Sequence, residues 1–276
     1  VLSGRFQGSG GYAVVDLEAT GSSSRRHRVI EVAVVLLDRE CVPQGEFSTL
    51  IDPEGPVGPT HIHGIERHDL GGAPTFAGIA PRLLGLLRGR VLVGHNVGCD
   101  RAFLAAEYAR LGVTLPAVPE LCTMRMAISR VPGPRGFSLG ACVADAGLGD
   151  WAAHTALGDA RATARLFAHY VAEAADVAEA AEVAEVAGRI GVPGAVETAA
   201  GVEWPVIARL PEADALWLGR ASVDRPPGGS ADRSVERSAE PLVEAAADWS
   251  AEIPNGPKGW NDSPQRMVSC VRNGSA

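Results

Sequence analysis

The segment Tyr12-Ala-Val-Val-Asp-Leu-Glu18 constrains this chain more than any other stretch. Its apolar, β-branched start reads as a buried strand. On a strand, residues i and i+2 share a face, so Asp16 and Glu18 project side by side. Two carboxylates so placed repel each other unless a cation or a shared proton compensates. Oxygen donors of this kind suit Mg²⁺ or Mn²⁺ rather than zinc. Taken alone, the pair reads equally as a strand end with two solvated acids.

The residues after Glu18 narrow the choice. Ala19-Thr20-Gly21 makes a turn, residues 29–37 form a second apolar strand able to return antiparallel to the first, and residues 46–51 read as a third. A Pro/Gly-rich loop leads to a helical stretch over residues 76–87. Residues 90–94 then make a short strand running into His95-Asn96. Ala102, Phe103, Ala106 and Leu111 recur at helical spacing, which puts Asp100 in the first turn of a helix over residues 99–111. An acid there also serves as a charge partner of the helix N-terminus. Further on, His154 precedes Asp159 by five residues. On one helix that spacing points two side chains about 140° apart, so a shared target requires His154 to lie in the loop before the helix. Gly147, Gly149 and Asp150 permit such a loop.

These pieces resemble the DEDDh branch of the 3′→5′ exonucleases, which includes the epsilon-type proofreading subunits of bacterial DNA polymerase III, RNase T and oligoribonuclease. The resemblance covers about residues 11–170. It rests on the acids in order and on Thr20-Gly21, Ile30-Glu31, His63-Gly64-Ile65, His95-Asn96, Leu121-Cys-Thr123 and Asp159-Ala160. His154 marks the "h" subclass; the sister branch has a tyrosine nearer the last aspartate, and no tyrosine occurs between Tyr108 and Tyr170. The resemblance implies an RNase-H-like α/β fold: a mixed five-stranded sheet flanked by helices, its first three strands antiparallel and the fourth parallel to the first.

Carried onto these residues, the resemblance implies two Mg²⁺ or Mn²⁺ ions. Asp16 would touch both, with Glu18 and Asp159 completing the nucleophile-side ion and Asp100 holding the second, largely through water. His154 would be the general base, because an imidazole with an ordinary pKa near 6.5 accepts a proton around neutrality. Leu17, Thr20, His63 and Asn96 would contact the terminal nucleotide, although His63 reads equally as a packing residue of its loop. Cys99 departs from the pattern: the family usually carries a bulky residue there, packed against the terminal base.

Charge divides the chain. Residues 1–170 hold 16 Lys+Arg and 16 Asp+Glu, whereas residues 171–276 hold 9 and 17, so the whole net charge of −8 lies in the C-terminal part. A binder of long duplex would carry a strong basic field. This chain instead suits a single strand or a 3′ end, with Arg25-Arg26-His27-Arg28 as either a phosphate-contacting patch or a solvated turn. The economical division is an exonuclease domain over residues 1–190 and an acidic, partly disordered appendage over residues 191–276. That appendage is a candidate docking tail for a replication or repair protein. Five cysteines without metal-ligand spacing point to free thiols and a cytoplasmic location, and no apolar run is long enough to span a membrane. The leading expectation is a 3′→5′ exonuclease releasing nucleoside 5′-monophosphates from DNA in proofreading or repair. The alternatives are an enzyme that trims RNA or oligoribonucleotides, and a catalytically silent module that uses the same fold to bind a partner.

Overall fold

A computed structural model describes residues 10–129, 136–181 and 194–207. Its centre is a five-stranded sheet in the order β3-β2-β1-β4-β5. The strands are β1 (Tyr12–Ala19), β2 (Val29–Leu37), β3 (Pro43–Leu50), β4 (Val91–Gly94) and β5 (Glu120–Cys122). β1 pairs antiparallel with β2 and β2 with β3, while β4 runs parallel to both β1 and β5. This is the mixed RNase-H-like sheet that the sequence implies. β2 is buried along all nine residues because helices cover both faces of the sheet, so its sequence is apolar without alternation.

The period of two along β1 feeds two cores. Tyr12 and Val14 join the layer under α6 (Ala156–Ala181), whereas Ala13 and Val15 join the layer under α2 (Phe76–Leu87) and α3 (Val97–Arg110). The Tyr12 ring meets the Phe167 ring edge-on at 4.8 Å, and the Phe76 and Tyr108 rings meet at 5.2 Å. Short helices α1 (Thr60–His63), α4 (Thr123–Ile128) and α5 (Leu139–Asp145) fill the connections.

Several boundaries differ from the sequence reading for identifiable reasons. β3 begins three residues earlier, at Pro43, because the Asp38 carboxylate accepts from the Glu40 and Val42 N–H groups and turns the chain tightly into the hairpin. β5 has only three residues, too few for any alternation to register. Cys41, Cys122 and Cys142 are free thiols. No helix among the described residues is long and apolar enough to cross a membrane.

Residues 194–207 lie within the stretch assigned to the appendage, yet they pack on the domain. Helix α7 (Ala195–Ala200) buries Val196 and Ala199 in the α6-side core, and Trp204 and Ile207 lie against the α2/α3 side. Arg88 donates to the Pro205 carbonyl at 3.0 Å, and Arg39 pairs with Glu197 at 2.6 Å. The rest of the proposed appendage, residues 191–193 and 208–276, lies outside the described residues. Burying one valine-sized side chain stabilises by about 1.5–3 kcal/mol. With Trp204 added, a chain ending at residue 193 should therefore lose about 3 kcal/mol relative to one ending at residue 207. Its melting temperature should fall by about 6–12 °C; equal melting temperatures would show that this segment is only loosely attached.

Candidate metal centre

The carboxylates converge where three element ends meet. Asp16 and Glu18 occupy the C-terminal half of β1, Asp100 sits in the first turn of α3, and Asp159 sits in the first turn of α6. One carboxylate oxygen each from Asp16, Glu18 and Asp159 lies within 4.8 Å of the others. Asp100 is 9 % exposed and acts electrostatically on Asp16, as Glu18 does on Asp100.

The local sequence explains each placement. β4 delivers the chain to Asn96, whose left-handed backbone (φ 71°) turns it into α3 without a side-chain cap. α6 starts four residues before the stretch of obvious helical propensity. Thr155 Oγ1 accepts from Gly158 N at 3.1 Å, and Glu31 Oε2 accepts from Ala156 N at 3.0 Å, satisfying two N–H groups that the helix itself leaves open. A Cβ at Gly158 would stand 1.9 Å from the Ala152 carbonyl oxygen, so glycine there lets the loop before α6 fold back against the helix.

That loop carries His154. It is exposed, has φ 62° and donates its backbone N–H to Asp159 Oδ2 at 3.2 Å. The loop placement is the one that the five-residue spacing requires. Left-handed backbone is uncommon outside glycine and is held here by the bond to the carboxylate beside which the imidazole stands. The Trp151 indole donates to Asp159 Oδ1 at 2.6 Å, so both oxygens of this aspartate are oriented by the loop. Neither Trp151 nor the capping role of Glu31 could be found from the sequence, since each contact depends on elements meeting in space.

The electrostatics describe a site short of positive charge. Asp16 is pushed well above the ordinary carboxylate range by burial and then by Asp100, Asp159, Glu18 and Glu31, all of them acids. Burial and Glu18 push Asp100 up to about 8, against a lowering hydrogen bond from its own backbone. Burial also raises Asp159, opposed by the Trp151 and His154 hydrogen bonds and the nearby imidazole. An all-oxygen donor set with such unrelieved repulsion fits a divalent cation of the magnesium type.

The direction of these shifts sets a pH dependence. A carboxyl group whose pKa is higher in the folded than in the unfolded state stabilises the fold below the unfolded value, near 4. That contribution is lost as pH rises through the window up to the folded value, here about 8 for Asp100. Metal-free protein should therefore melt at lower temperature as pH rises through this window. Mn²⁺ should raise the melting temperature more at about pH 8 than at about pH 5, because the ion takes the place of the protons. A melting temperature unaffected by Mn²⁺ at the higher pH would contradict the reading of these acids as a cation site.

The other implied residues separate. Leu17, Thr20 and Asn96 are half-buried around the same edge of the sheet. Thr20 is fixed by bonds to Arg28: its N–H donates to the Arg28 carbonyl at 2.9 Å, and its hydroxyl accepts from the Arg28 N–H at 3.0 Å. His63 shows the contacts of a residue that packs within its own loop. It is 2 % exposed, its Nδ1 accepts from Ile65 N and its Nε2 donates to the Val57 carbonyl, so both ring nitrogens are engaged in shaping their own loop. Arg28 is engaged away from the basic run: its Nε donates to both carboxylate oxygens of the buried Glu107, at 2.9 and 3.1 Å. His95 is half-buried and donates through Nε2 to the Phe137 carbonyl at 2.8 Å while Nδ1 meets Thr123 Oγ1 at 2.9 Å, which ties the end of β4 to α4.

Comparison with known proteins agrees with this geometry. Residues 13–167 match the family model described as Exonuclease. A Mycobacterium tuberculosis protein described as a bifunctional exonuclease/endonuclease is 34 % identical over 163 residues, which are 55 % of this chain but only 25 % of that protein. The DNA polymerase III subunit epsilon of Aquifex aeolicus is 32 % identical over 161 residues, covering 57 % of this chain and 79 % of the subunit. Among solved structures, the nuclease domain of 3′hExo bound to rAMP superposes with a TM-score of 0.52 at 20 % identity, over 59 % of this chain and 92 % of that domain, and so shares the fold. Both the family match, across more than half of the chain, and the likeness to an epsilon subunit, across most of its length, lead to the same assignment: the chain belongs to the DEDDh branch of the 3′→5′ exonuclease family.

Proposed function

We propose that this chain removes nucleotides from the 3′ ends of DNA as nucleoside 5′-monophosphates, in proofreading or repair. The observation that carries the reading is the meeting of Asp16, Glu18 and Asp159 oxygens within 4.8 Å, with His154 on the loop that orients Asp159. Asp16, Glu18 and Asp159 would hold one divalent ion, and Asp16 with Asp100 a second; Mg²⁺ or Mn²⁺ fits these donors. Bound ions in such a pair lower the pKa of a water and neutralise charge on the phosphate. An imidazole nitrogen of His154 accepts the proton of the attacking water, and its exposed position lets that proton pass to solvent. Trp151 and the His154 N–H keep the Asp159 carboxylate from rotating. The backbone from Leu17 to Thr20 and the Asn96 side chain contact the terminal nucleotide.

The preference for DNA rests on the 32 % identity to an epsilon subunit over 79 % of its length. The same likeness supports a replication or repair partner, with the segment after the exonuclease domain as its candidate docking tail. The test compares three 5′-labelled substrates in Mg²⁺: single-stranded DNA, duplex DNA with a mismatched 3′ end, and short RNA. Degradation of both DNA substrates ahead of RNA is expected. Preferential loss of the RNA would transfer the assignment to an RNA-trimming enzyme. No loss of any substrate, from protein that binds Mn²⁺, would leave a silent nuclease fold.

A further inference from the structure

Arg25 and Arg26 stand at the tip of the loop between β1 and β2, rooted one residue beyond the strand that carries Asp16 and Glu18. The loop is braced from beneath. Arg110 Nη2 donates to the carbonyls of Ser24, Arg25 and His27 at 2.9, 3.4 and 3.2 Å. The buried carboxylate of Glu107 accepts from Arg28 Nε with both oxygens and from the Val29 N–H at 3.0 Å. Ser23 N donates to His27 Nδ1 at 3.0 Å, and a Cβ at Gly21 would meet the His27 ring at 2.6 Å, so the ring packs directly on the loop backbone. The tip is therefore presented on a fixed frame although its two side chains are exposed.

Most arginines of the described residues are otherwise engaged. Arg39, Arg101 and Arg161 pair with Glu197, Glu120 and Glu46, and Arg67, Arg88, Arg90 and Arg165 donate to carbonyls. Arg25, Arg26 and the exposed Arg125 have neither an ion pair nor a guanidinium hydrogen bond among the described residues. All three lie beyond the C-terminal ends of strands that run in the same direction: Arg25 and Arg26 after β1, and Arg125 in α4 after β5. Asp16 and Glu18 stand near the end of β1 and Asp100 just after β4, and β4 lies between β1 and β5 in the sheet. α3 links the two regions, because Asp100 and Glu107 are seven residues apart, about 10 Å along the helix.

A cluster of acids repels a polyanionic strand, so the strand needs positive charge beside the cluster rather than in it. We propose that Arg25 and Arg26, with Arg125 on the opposite flank, form a phosphate clamp for single-stranded nucleic acid leading to the metal centre. The braced loop would engage phosphates about two to three nucleotides from the cleaved end, from the 10 Å offset and a spacing of about 3.4 Å or more per nucleotide. Arg28, although part of the same basic run, is excluded by its pairing with Glu107. This inference rests on the nuclease reading for its direction, but its test does not require catalysis.

The test is equilibrium binding of a fluorescent oligo(dT) to the full chain in Ca²⁺, over a series of salt concentrations, by anisotropy. Each phosphate contact to a single strand contributes about 0.7 to the slope of log K against log salt. The R25A/R26A variant should therefore flatten the slope by about 1.4, and R125A by about 0.7. The control R39A/R161A removes the same number of charges from paired surface positions and should leave the slope nearly unchanged. Equal effects of R25A/R26A and of the control would overturn the clamp, since only the general field would then matter. An unchanged slope in R25A/R26A would overturn it as well. Wild-type hydrolysis measured alongside separates the two claims: hydrolysis with an unchanged slope removes the clamp alone, and a lowered slope without hydrolysis removes the nuclease reading alone.

Discussion

Asp16→Ala should lower hydrolysis by at least about 10³-fold in Mg²⁺ or Mn²⁺ while the protein stays folded. Asp16 is the carboxylate on which Asp100, Asp159, Glu18 and Glu31 all act, so its loss removes the donor common to both proposed ions. Several kcal/mol of transition-state stabilisation come from such ions, and about 4 kcal/mol corresponds to a thousandfold. The effect on stability has the opposite sign. Burial and the neighbouring acids raise Asp16 well above the ordinary carboxylate range, and removing it relieves that unfavourable environment at a strand end that contributes little to either apolar core. Metal-free Asp16→Ala should melt no lower than wild type and lose most of the Mn²⁺-induced rise. A purified variant with near-native turnover would remove Asp16 from the site. One that fails to fold would instead make Asp16 a structural residue of β1.

His154→Ala should reduce turnover by roughly 10²- to 10⁴-fold, the usual effect of removing a positioned proton acceptor, with a smaller change in KM. His154 is exposed and contributes its backbone, not its ring, to the bond with Asp159. Alanine keeps that N–H, so the loop should persist, with some strain because φ 62° disfavours a β-carbon. The acidic limb of the pH–rate profile should change in the variant. If the imidazole served only to fill the loop, the variant would lose stability while its folded fraction kept the wild-type rate and the same acidic limb.

How much of the fold and the site is legible in the sequence depends on whether the signal is local. The pair Asp16/Glu18 is local: strand periodicity alone puts both side chains on one face, and the structure brings their oxygens together with that of Asp159. The loop position of His154 also comes from local geometry, because five residues on one helix cannot share a target. The mixed sheet is implied by resemblance, and β1, β2 and β4 stand within a residue of their expected limits because each is a dense apolar run. Non-local contacts stay hidden. Glu107 looks like an exposed helical acid in the sequence but is buried, and it takes Arg28 out of a basic run that reads as three equivalent surface arginines beside His27. His63 gives no sign that both nitrogens are occupied within its own loop. The packing of Trp204 on the domain is a contact between segments distant in sequence that no pattern in residues 194–207 announces.

The most direct measurement tracks a 5′-labelled single strand of DNA in time, with Mg²⁺ and with a chelator, beside a circular single strand of the same composition. A descending ladder that requires the metal, with the circle left intact, is the expected result. Cutting of the circle, or a ladder that persists in the chelator, would contradict a metal-dependent exonuclease acting from the 3′ end.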